Sequence, residues 1–138
     1  MGCVFCSILE GSIPSTKVYE DEHTVAIMDI NPLNDGHLLV LSRAHRKDIH
    51  EIADVELAAV MSTVKKMAAA VQRGLGPGGI NLLQANGPAA FQSVPHFHVH
   101  VIPRWDDDGK GLDWELVRGD PGRIAAAAER IRAALAGA

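Results

Sequence analysis

The stretch Gln92-Ser-Val-Pro-His-Phe-His-Val-His-Val-Ile-Pro-Arg104 decides how this chain is read. Its polar and apolar residues alternate, which predicts a strand over Pro95–Pro103. On a strand, residues two apart share a face, so His96, His98 and His100 line one side, about 6.6 Å apart at a rise of roughly 3.3 Å per residue. Phe97, Val99 and Val101 fill the other side and face a core. Three imidazoles in register admit three readings. A solvated polar sheet face is one, but three histidines in a row would repel when protonated. A metal site is another, because alternating histidines can present ligands to zinc or iron. The third is nucleophilic catalysis, with one histidine attacking while the others position and polarise.

The neighbouring residues weigh between these. Gln92-Ser93 closes the loop Asn86-Gly-Pro-Ala-Ala-Phe91, and such a loop can aim backbone N–H groups and neutral side chains at phosphate oxygens. His37, after Gly36, opens a separate strand. A mononuclear metal site calls for an acidic companion, and no Asp or Glu lies between Glu56 and Asp106. The pattern favours phosphate chemistry.

Outward from this strand, the chain reads as an α+β domain. Val4–Glu10 suggests a short helix running into Gly11. Lys17–Tyr19 and Thr24–Ile30 read as a hairpin, Asn31-Pro32 as a turn, and His37–Leu41 as a buried strand. Asp54 can cap a helix whose apolar residues Leu57, Val60, Met61, Val64, Met67, Ala68 and Val71 recur at helical spacing, with Gly74 ending it. Ile80–Gln84 is a strand, and residues 105–119 look irregular. Asp120-Pro121 starts a final helix with Ile124, Ala127, Ala128, Ile131 and Leu135 on one face.

Composition narrows the partners. The chain has 138 residues, which fits a single domain spanning 1–138, and 47% of them are hydrophobic. A net charge of −4 and the lack of a Lys/Arg run argue against nucleic acid. No apolar stretch approaches a membrane span, and no basic-then-apolar leader opens the sequence, so the expected compartment is the cytoplasm. Two cysteines three apart point away from a disulfide framework.

Taken together, His96-Phe-His98-Val-His100-Val-Ile resembles the signature of the histidine triad family of nucleotide hydrolases and transferases. Gln92-Ser93, the block Asp29-Ile-Asn-Pro-Leu-Asn-Asp-Gly36-His37-Leu-Leu-Val, and the N-terminal Val4-Phe5-Cys6-Ser7-Ile8, Ile13-Pro14 and Tyr19-Glu20-Asp21 match its pattern in order. The resemblance implies a curved antiparallel sheet with one long packed helix and a C-terminal helix, assembled as a homodimer. It implies that His98 attacks the α-phosphate of a purine nucleotide, such as AMP carrying an amine (a phosphoramidate), an acyl group or a second nucleotide (a dinucleotide), through a nucleotidyl-histidine intermediate. His100 and Gln92 are then expected at the phosphate, Ser93 near the leaving group, and His37 in support of the triad. Asp29 is expected to accept from the ribose hydroxyls, and Asn86 to contact ribose or phosphate. Phe5, Ile8, Ile13, Ile27 and Ile30 are expected to line a slot for the base. No catalytic metal is implied. Phe91 departs from the family, where glycine commonly precedes the Gln.

Spacing alone leaves Cys3-Val-Phe-Cys6 as two reduced thiols or a redox pair. The resemblance implies a structural zinc site instead, because some bacterial relatives join such a pair to two histidines, here His45 and His96. A nucleotide sensor with negligible turnover, or a metal-dependent enzyme using the triad as ligands, are the competing classes.

Overall fold

The computed structural model describes residues 2–137. The elements follow in the order α1 (Val4–Leu9), β1 (Lys17–Glu20), β2 (Thr24–Met28), β3 (Leu38–Ser42), α2 (Asp54–Leu75), β4 (Gly79–Leu83), β5 (His98–Arg104) and α3 (Pro121–Ala136). The five strands form one curved sheet in the order β1-β2-β3-β5-β4, every neighbouring pair antiparallel.

Alternation along the strands divides the chain between two faces. Ala26, Leu38, Val40, Phe97, Val99 and Val101 point to one side, where α2 covers them with Val60, Val64, Met67 and Val71. Val25, Ile27, Leu39 and Leu41 point to the other, where α1 covers them with Phe5. Register carries the histidines to this second face: His98 pairs with Leu41 and His100 with Leu39, while Ile27 pairs with Leu39 on its other side. Burying side chains of this kind contributes about 1.5–3 kcal/mol each, so a one-residue slip of β5 would put the imidazoles in the core and is heavily disfavoured.

Element ends differ from the sequence reading for local reasons. The histidine strand begins at His98 rather than Pro95, because the Phe97 N–H donates to the Arg46 carbonyl (2.6 Å) instead of joining the ladder. β2 stops at Met28, ahead of the Asn31-Pro32 turn. α2 runs through Gly74 and ends at Gly76, whose left-handed backbone (φ 63°, ψ 42°) only glycine adopts freely. Its N-cap is Ala53 rather than Asp54. The Glu56 carboxylate reaches back to accept the Ala53 N–H (3.0 Å), and Asp54 sits in the first turn, where it favours the helix dipole. In α3 the Asp120 carboxylate caps the Arg123 N–H (2.9 Å), but none of the helix is buried.

Candidate active site

On the α1 face, three backbone groups fix the protonation of the histidine rings. The His98 Nδ1 lies 2.7 Å from the His96 carbonyl, an acceptor only, so Nδ1–H donates and the lone pair sits on Nε2. The Leu33 N–H donates to His37 Nδ1 (2.9 Å), which leaves the proton of neutral His37 on Nε2. That Nε2–H donates to His100 Nδ1 (2.9 Å), and His100 in turn carries its proton on Nε2. His96 Nε2–H donates to the Ser42 carbonyl (2.7 Å), so the free lone pair of His96 is on Nδ1. His98 thus carries its proton on Nδ1, whereas His37, His96 and His100 carry theirs on Nε2.

Burial keeps the rings neutral. It pushes the pKa of His37, His96 and His98 below the ordinary histidine value. His100 falls to about 4, through burial first and then the neighbouring His98 and His37. Asp29 opposes the fall in His37, His98 and His100, with its Oδ2 3.3 Å from His37 Nε2 and 3.8 Å from His100 Nδ1, but burial outweighs it. Asp29 therefore supplies the acidic neighbour that no residue between Glu56 and Asp106 could. Even so, Asp29, His37 and His100 form a poor metal site. The nitrogen that His37 would offer already carries a proton, because its other nitrogen accepts from Leu33.

The rings of His98 and His100, with centroids 5.1 Å apart, open into a cavity of about 250 Å³. Phe5, Ile8, Ile13, Ile27, Asp29, Ile30 and Ser93, all singled out in the sequence, line it together with these two histidines. The Phe5 ring stands edge-on to His98, with centroids 5.0 Å apart and planes at 84°. Among the described residues no Lys or Arg lines the cavity, so an anion there would meet only neutral donors. His37 is buried behind His100 and does not reach the cavity surface.

Gln92 and Asn86 lie outside the lining. Gln92 Oε1 accepts the Gly87 N–H (2.8 Å), and its amide donates to the carbonyls of Lys47 (2.6 Å) and Val94 (3.2 Å). It clamps the loop that delivers Ser93. Asn86 accepts the Ile49 N–H (2.8 Å) and donates to Gln84 (2.7 Å). The exposed Trp114 lines none of the cavity. Sequence reading passed over Leu39 and Val94 in the slot wall, whose pattern is that of ordinary core residues. It also passed over the carbonyls of Ser42 and His96 and the N–H of Leu33, which leave no mark in a sequence.

Beside the cavity, Cys3, Cys6, His45 and His96 converge. Cys3 Sγ is 3.4 Å and Cys6 Sγ 3.6 Å from His96 Nδ1, Cys6 Sγ is 3.3 Å from His45 Nδ1, and the two Nδ1 atoms are 3.2 Å apart. A tetrahedral ion with S and N ligands at about 2.3 and 2.0–2.1 Å sets ligand–ligand separations of roughly 3.3–3.8 Å. His96 also turns its lone pair to this point. The four residues fit a divalent cation.

The chain is similar to known proteins over most of its length. Residues 10–107 match the HIT domain family model. The chain is 38% identical over 132 residues to the adenosine 5′-monophosphoramidase of Schizosaccharomyces pombe, covering 95% of this chain and 96% of that protein. It superposes with a TM-score of 0.88 on the crystal structure of a HIT family member from Bacillus subtilis, at 38% identity and 96% coverage of both chains. It also superposes with a TM-score of 0.77 on a Zn-bound histidine triad family protein from Mycobacterium smegmatis, at 35% identity over 97% of this chain and 98% of that one. A chain with these histidines, this sheet and these relatives belongs to the HIT family.

Proposed function

We propose that the protein hydrolyses or transfers the nucleotidyl group of a purine nucleotide whose α-phosphate carries a leaving group, an amine above all. His98 is the nucleophile. The observation that carries this reading is the His98 tautomer: Nδ1–H is tied to a backbone carbonyl, and burial keeps the ring neutral, so Nε2 offers a lone pair beside the cavity. Attack forms an Nε2–P bond as the P–N bond to the leaving amine breaks, the amine departing with a proton taken up from solvent. Water then attacks the same phosphorus, releasing the nucleoside monophosphate and restoring His98. His100 Nε2–H, set by His37, donates to the charged phosphate oxygens. Ser93 stands at the leaving-group side, on the loop that Gln92 holds.

The apolar wall of Phe5, Ile8, Ile13, Ile27 and Ile30 suits a planar base, and Asp29 suits the ribose hydroxyls. Asn86 would act through the loop. The named activity of the S. pombe relative supports an adenosine nucleotide. Zinc in the Cys3–Cys6–His45–His96 site would be structural: four protein ligands close the coordination sphere and leave no position for substrate. The likeness to the Zn-bound relative supports zinc there. The working unit is a homodimer of one-domain chains in the cytoplasm. A second copy would cover the outer face of α3, where Ile124, Ile131 and Leu135 are 60%, 63% and 69% exposed. No described helix is long and apolar enough to cross a membrane.

Incubation with adenosine 5′-phosphoramidate tests the reading. Wild-type protein should release AMP, and His98→Ala should be slower by roughly 10³-fold or more. AMP binding without release by the wild type would instead identify a sensor.

A further inference from the structure

Two structural roles fall on the single short segment α1. Cys3, its N-cap residue, and Cys6, in its first turn, aim their sulfurs at His45 and His96. Val4, Phe5 and Ile8 of the same six-residue helix wall the cavity. A helix this short does not hold its shape through its own hydrogen bonds, since isolated helices below about 12–15 residues are marginal in water. Phe5 is its only buried residue, and no ion pair among the described residues ties α1 to the sheet. The backbone bonds of Ser7 and Glu10 close within the segment. What fixes α1 on the sheet is the packing of Phe5, Ile8 and Leu9 and the cysteine–histidine cluster.

We infer that Cys3 and Cys6 are positioning residues for the nucleotide: a cation held by the cluster pins α1 and so sets the wall against which the base packs. This rests on the reading of the cavity as a nucleotide site. Metal and nucleotide are then thermodynamically linked, and each strengthens the other's binding by the same factor. The effect is read on binding. His96 belongs to the same cluster and holds His98 through its carbonyl, while His37, which orients His100, lies outside it.

Calorimetric titration of AMP into the zinc-loaded, metal-free and zinc-reloaded protein tests the linkage. The loaded and reloaded forms should bind AMP roughly tenfold or more tightly than the metal-free form. Cys6→Ser, which loses a ligand, should bind AMP like the metal-free wild type. Transfer of zinc to a chromogenic chelator reads the same coupling on the folded holoprotein, even if removing the metal unfolds the chain. Saturating AMP should slow that transfer. Equal AMP affinity in all three forms, or a transfer rate indifferent to AMP, overturns the linkage and leaves the nucleotide site standing. Failure of every form, zinc-loaded included, to bind AMP removes the nucleotide reading itself.

Discussion

At the residue scale, the site consists of histidines told apart by what lies behind them. His98 faces a carbonyl and has a free Nε2, while His100 faces a donor and keeps a proton on Nε2. His37 is the residue that separates the two, because it passes the Leu33 N–H orientation on to His100. His37→Phe removes that donor and should lower kcat/KM by roughly 10–100-fold, the usual cost of losing an orienting partner. Nitrogen-15 NMR should then find His100 in mixed tautomers. His37→Gln, whose amide nitrogen can occupy the Nε2 position, should recover part of both. An unchanged His100 spectrum in His37→Phe would contradict the assignment. The sequence allowed the triad, Asp29 and the slot residues to be named, since each carries a side chain of telling chemistry or matches a family motif. It could not assign tautomers, which depend on the Ser42 and His96 carbonyls and the Leu33 amide. Nor could it bring Asp29 to His37 and His100, an approach made by strand pairing.

At the scale of elements, period-two alternation in the histidine strand set the imidazoles opposite Phe97, Val99 and Val101, and helical spacing located α2. The ends were less legible. The Phe97 N–H leaves the ladder for the Arg46 carbonyl, a partner that only the fold supplies. The loop before Ser93 contains Phe91, the only non-glycine residue described with a positive φ (63°), and its side chain is 91% exposed. Phe91 thus bears left-handed strain of about 1–2 kcal/mol with no packing against the protein in return. Glycine relieves that strain but costs about 0.5–1 kcal/mol of chain entropy. Phe91→Gly should therefore raise stability by up to ~1 kcal/mol in urea unfolding, and a clear loss would show that the ring makes a contact in solution.

At the scale of the whole molecule, stability should depend on acid through the buried histidines. Their folded pKa values lie below the unfolded value near 6.5, so the unfolded chain takes up protons first as pH falls. The stabilisation is complete above about pH 6.5 and drains away as pH drops toward about 4, the value for His100. Urea unfolding should show a loss on the order of 2 kcal/mol from His100 alone between about pH 7.5 and pH 5. His100→Gln should flatten the curve by that share, and an unaltered slope would mean the ring is not held neutral. The class of fold was legible from the order of elements, but the strand order was not, because β5 inserts between β3 and β4 by long-range pairing. The apolar face of α3 was legible as a stripe. That the monomer leaves it uncovered was not.

The central claim is that His98 takes the nucleotidyl group before water does. The most direct measurement is the stereochemical course at phosphorus, using one diastereomer of an adenosine 5′-phosphorothioate amide hydrolysed in oxygen-18 water. Two in-line displacements, first by His98 and then by water, should give net retention of configuration. Net inversion would mean that water attacks directly and that no nucleotidyl-histidine forms.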